Sequence, residues 1–134
     1  MEQPQDLPQD RRRRRSVDPL IALHYQLSQA RHRGELDTIV VADASGVVVA
    51  GAGSWAACEE LAAYAPLLAS TSVPAKHGGN DPDASRVEVL RREVAVATLA
   101  IDDTEVLVCV RGGDARGASL QQAVDGVARI LRAA

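Results

Sequence analysis

Apolar residues run almost without a break from Thr38 to Gly53 in the segment TIVVADASGVVVAGAG, with a polar hinge at Asp43-Ala44-Ser45-Gly46. Ile39, Val40 and Val41 are consecutive, as are Val47, Val48 and Val49. Successive side chains of a strand point to opposite faces, so adjacent β-branched residues need cover on both sides. The pattern predicts a two-stranded antiparallel ribbon with no wet face.

Helical spacing brackets this ribbon. Asp18 suits an N-cap with Pro19 at the first helical position; Leu20, Leu23, His24, Leu27 and Arg31 then follow on one stripe, and Gly34 closes the segment. Ahead of it, residues 1–17 are rich in Pro, Gln, Asp and Arg and have little to bury, which predicts a disordered tail and a domain spanning 18–134. Ser54 can cap a second helix from Trp55 to about Ser70. Its Cys58, Leu61, Ala62, Ala65, Leu68 and Ala69 recur at helical spacing, while Glu59, Glu60 and Ala63 face elsewhere. Pro66 should kink this helix or split off its last turn.

Beyond a polar loop from Thr71 to Ser85, Val87 and Val89 alternate with Glu88 and Leu90, which predicts a short edge strand over Arg86–Arg92. Val94–Ile101 and Glu105–Val110 form a second doubly apolar hairpin around Asp102-Asp103-Thr104. Ser119 with Gln122 makes a capping box for a last helix marked by Leu120, Ala123, Val124, Val127, Ile130 and Leu131. The resulting fold class is α+β: a five-stranded, mainly antiparallel sheet with two helices on one face and one on the other. A single Ala-rich helix cannot cover a whole sheet face. A homodimer is therefore expected, with the edge strand and the second helix meeting their own copies.

Composition narrows the function. The 134 residues suffice for one modest core. Phe is absent and Trp55, Tyr25 and Tyr64 are the only aromatics, so stacking platforms for nucleic-acid bases are missing. Charge is uneven: Met1 to Arg33 carries seven Arg against four acids, and the remainder eight basic against fourteen acidic residues. Arg11 to Arg15 attract polyanions: phosphate backbones, an anionic surface or an acidic protein patch. An acidic partner fits better than nucleic acid, because the acidic body has no basic face to extend the contact. A solvated tail without a fixed partner fits equally.

Catalytic chemistry finds little support. Cys58 and Cys109 lie far apart in apolar segments and read as reduced core residues. Ser45, Ser54 and both cysteines have no identifiable base, so no catalytic residue is expected. His24 reads as a partly buried packing residue, His32 and His77 as exposed, and no ligand spacing suggests a metal. Asp81-Pro82-Asp83 and Asp102-Asp103 lack the spacing of a calcium loop. Gly51-Ala52-Gly53 lacks the third Gly and the Lys of a phosphate cradle, so it reads as close backbone packing or a flexible strand end; no cofactor is expected. Trp55 reads equally as a partner anchor and as a hydrophobic staple under the helix start. With no membrane-length apolar run and no signal-like N-terminus, the expected location is cytoplasmic.

LDTIVVADASGVVVAGAG, ACEELAAYAPLLAS, EVLVCVRGG and ASLQQAVDGVARIL, in this order and spacing, resemble the Roadblock (dynein light chain) family from about Asp18 to the C-terminus. The resemblance implies a Roadblock/profilin-like sandwich and a homodimer whose sheet is continued by pairing the third strands, with the two second helices side by side. Bacterial members often bind small Ras-like GTPases through that helix pair, and some act as co-GAPs without supplying a catalytic residue. On this chain the resemblance puts Trp55, Glu59, Glu60, Ala63 and Tyr64 at the partner surface. Leu61, Ala62, Ala65, Leu68, Val87, Val89 and Arg91 would fall at the dimer interface. The alternative function is a sensory or scaffolding module that binds a small ligand or signalling protein and never meets a GTPase.

Overall fold

The computed structural model describes residues 3–70, 82–114 and 116–133, with side chains described in 19–70, 85–114 and 116–133. Its elements are α1 (Gln3–Gly34), β1 (Thr38–Asp43), β2 (Val48–Ala52), α2 (Trp55–Ala69), α3 (Pro82–Glu93), β3 (Val94–Ile101), β4 (Thr104–Arg111) and α4 (Arg116–Ala133). Among the described residues the strands form one antiparallel four-stranded sheet in the order β2-β1-β4-β3.

The expected ribbon is present, with Val41 paired to Ala50 and Val40 to Gly51. Its turn is held by the Asp43 carboxylate, which accepts hydrogen bonds from the Ser45 and Val47 amides at 2.9 and 3.1 Å. Thr38 through Ala42 are all buried, as consecutive apolar residues require. Period two then sorts the side chains. Ile39, Val41, Val108 and Val110 join Leu23 and Leu27 of α1 and Val127 of α4 on one face. On the other, Val40, Ala42, Leu107 and Cys109 join Cys58, Leu61 and Ala65 of α2 and Val87 and Leu90 of α3.

This arrangement corrects the expected strand over Arg86–Arg92, which is part of helix α3. Val87, Leu90 and Val94 follow an i, i+3, i+7 spacing and are all buried, while Val89 is 40% exposed. The Arg and Glu residues between them are good helix formers, and burial of that stripe decides the segment. The sheet therefore has four strands rather than five, and each face carries two helices rather than two and one. Pro82 opens α3, where its missing N–H costs nothing. The expected loop from Thr71 to Ser85 lies outside the described residues over 71–81, and so does His77.

Three helix boundaries also differ from expectation. α1 begins at Gln3 rather than Asp18, so the stretch expected to be disordered is helical over 3–17. Gln and Arg have high helix propensity, and extending a turn already anchored by Leu23 and Leu27 costs little per residue. α2 runs through Pro66 to Ala69 without splitting, and the Ser70 amide bonds the Leu67 carbonyl at 3.2 Å. α4 starts at Arg116, which puts Ser119 inside the helix rather than at its cap. A Cβ at Gly34 would lie 2.6 Å from the Ser119 hydroxyl, so α1 ends in close contact with α4.

Candidate docking surface

Local chemistry fixes the start of α2. The Ser54 hydroxyl accepts from the Ala57 amide at 3.1 Å, and the Cys58 amide bonds the Ser54 carbonyl. Behind this turn, a Cβ on Gly51 would come within 2.8 Å of the Cys58 sulfur, so the absence of a side chain lets α2 lie close on β2. This agrees with the reading of Gly51-Ala52-Gly53 as close packing. On the outer side, Gly46 (φ +89°) brings the hairpin turn against the backbone of Ala62 and Ala63.

Turn and helix together form an open groove of about 330 Å³ lined by Gly46, Val47, Val48, Trp55 and Glu59. Trp55 is 57% exposed and Val47 59%. Glu59 and Ala63 follow Trp55 at i+4 and i+8, so they continue one exposed line along the helix. Trp55 is thus not buried under the helix start. Val47 and Val48 were not singled out as site residues from sequence, although an apolar residue directly after the Asp-Ala-Ser-Gly turn was the available signal.

Glu60 and Tyr64, one position round the helix, are half-buried. Arg86 of α3 donates to both Glu60 carboxylate oxygens at 2.8 Å, and a guanidinium nitrogen of Arg111 stands 3.9 Å away. Arg86 holds the Glu60 carboxyl below its ordinary value of 4.5, against partial burial that pushes the other way. Glu60 therefore serves an internal latch between α2 and α3. Tyr64 packs against the apolar cluster between α2, α3 and the sheet.

The residues expected at a dimer interface bind the chain to itself. Leu61, Ala62, Ala65 and Leu68 are buried against the sheet, and Val87 joins them from α3. Arg91 donates to the carbonyls of Leu67 and Ser70 at 3.0 and 3.4 Å, satisfying the end of α2. Of the seven, Val89 offers apolar side-chain surface to the outside. A stripe facing inward within one chain and a stripe facing a second copy have the same sequence period, which is why the two were conflated.

Elsewhere the chemistry is quiet. Burial pushes the Cys109 thiol up to about 12 and raises the Cys58 thiol, so neither is a thiolate at neutral pH. His24 is exposed rather than partly buried; its Nδ1 lies 3.3 Å from the Gly51 carbonyl oxygen. Among the described residues no group of three or more His, Cys, Asp or Glu is placed to hold a metal ion, and no helix is long and apolar enough to cross a membrane.

No family model and no curated protein matches the chain. Among solved structures it is similar to MglB of Myxococcus xanthus, at 10% sequence identity and a TM-score of 0.49, over 85% of this chain and 90% of that one.

Proposed function

We propose that this chain is a homodimeric Roadblock-type regulator or scaffold of a small Ras-like GTPase, acting by binding rather than by catalysis. The observation that carries the reading is the groove of Val47, Val48, Trp55 and Glu59 at the start of α2. A Trp and a Val more than half exposed side by side, on a helix start fixed by its cap, form an anchor that loses little entropy on binding. The resemblance of the sequence to Roadblock domains supplies the class of partner and places it on this helix.

Support for the second copy comes from β3. Its sequence, VAVATLAI, contains no charge and no Pro, and among the described residues no strand pairs with its outer edge. Such an edge is a template for another strand, and pairing about a two-fold axis would close it. β3 is the third strand in chain order, the one whose pairing the family resemblance implies. Any effect on GTP hydrolysis would be a population shift, in which the dimer binds one switch conformation better than the other.

Size-exclusion chromatography with light scattering, run with a Ras-like GTPase from the same genome loaded with GTP or GDP, tests both parts. The expected particle holds two copies of this chain and forms with one nucleotide state in preference to the other. A lone protomer at high concentration would overturn the dimer. Absence of binding in either nucleotide state would overturn the GTPase reading.

A further inference from the structure

Helix α1 is longer than the sheet beneath it. Its 32 residues span about 48 Å, whereas the eight-residue strands reach about 27 Å. The first of its residues in the core is Leu23, so the turns before it extend past the packed part of the domain. The first 33 residues of the chain are basic, seven Arg against four acids, while the rest is acidic.

Next to the arginine run stands an apolar group that the fold does not use. Leu20 is 50% exposed, Ile21 62% and Tyr25 68%, whereas Leu23, Leu27 and Ala30 on another side of the same helix are buried. Positions 13, 14, 17, 20, 21, 24 and 25 follow an i, i+1, i+4, i+7, i+8, i+11, i+12 spacing, so Arg13, Arg14 and Val17 share the helical period of Leu20, Ile21 and Tyr25. A basic segment that continues into exposed Leu, Ile and Tyr has the make-up of a helix lying in a membrane interface. An acidic protein or a nucleic acid would satisfy the arginines alone and leave these three side chains unexplained.

We propose that the outer stripe of α1 docks on an anionic lipid bilayer, with the arginine run meeting the headgroups and Leu20, Ile21 and Tyr25 entering the interfacial layer. The acidic body then faces away from the surface, so one helix sets the orientation of the whole molecule. This inference is independent of the GTPase reading.

Co-sedimentation of the full chain with vesicles at low ionic strength tests it. Binding is expected to vesicles of phosphatidylglycerol and phosphatidylcholine in equal parts and not to phosphatidylcholine alone. Replacing Arg13 and Arg14 with Gln should weaken it about tenfold or more, since each basic residue near such a surface contributes substantially. Ile21→Ser with Tyr25→Ser, at exposed positions where the fold is indifferent, should weaken it as well. Absence of sedimentation, or sedimentation unaffected by either pair, would overturn the proposal. Loss with the Arg pair alone would also overturn it, because the apolar stripe would then be idle. Binding to immobilised polyglutamate but to neither vesicle would assign the stripe to an acidic protein instead.

Discussion

Leu61→Asp is expected to abolish the cooperative fold. Leu61 is fully buried between α2 and the sheet, in one cluster with Val40, Leu90, Leu107 and Cys109. Truncation of such a residue to Ala costs about 2–5 kcal/mol through lost transfer energy and the cavity left behind. A carboxylate at the same place adds the cost of desolvating a charge for which no partner stands in the cluster. Against a total stability of about 5–15 kcal/mol for a domain, the sum leaves little or nothing. Thermal melting followed by circular dichroism checks this: Leu61→Ala should melt at a lower temperature, and Leu61→Asp should show no transition. A Leu61→Asp protein with the parent melting curve but half the mass in solution would put Leu61 at a subunit interface, contrary to its placement in the core.

Trp55→Ala is expected to act oppositely, sparing the fold and removing the partner. More than half of the ring is exposed, so truncation should change stability by no more than about 0.5 kcal/mol. Anchoring aromatic residues at interface centres cost about 2 kcal/mol or more when truncated, equivalent to roughly thirtyfold in affinity. The effect should appear in the dissociation constant for the nucleotide-loaded GTPase, measured by calorimetric titration. An unchanged constant would place the anchor elsewhere.

Why some elements were legible and others were not has physical reasons. The ribbon of β1 and β2 was readable because three consecutive β-branched residues on each arm leave a strand few alternatives, and the Asp-Ala-Ser-Gly hinge supplies the turn. α2 was equally plain from its stripe of Cys58, Leu61, Ala65 and Leu68. The segment from Arg86 to Arg92 carries two patterns at once: Val87 and Val89 alternate like a strand, while Val87, Leu90 and Val94 recur like a helix. So short a stretch cannot be settled by periodicity, and burial of Leu90 under α2 and the sheet selects the helix. The N-terminal extension of α1 was missed because a lack of anything to bury was weighed above the helix propensity of Gln and Arg.

The site divides along the same line. Trp55, Glu59 and Ala63 could be found because they lie off the apolar stripe of a helix that was itself readable. Glu60 could not be separated from them, since its partner Arg86 belongs to the segment misread as a strand. Val47 was counted with the ribbon although it follows the turn and stands outside β2, where the hairpin leaves it beside Trp55. Tertiary proximity across the hairpin builds the groove, and linear spacing does not carry that information.

The most direct test of the central claim is an amide hydrogen-exchange footprint of the chain with and without the GTP-loaded GTPase. The account predicts slowed exchange confined to residues 46–48 and 55–63, the turn and the first half of α2 that together form the groove and its continuation. Protection elsewhere with these two segments unchanged would contradict it.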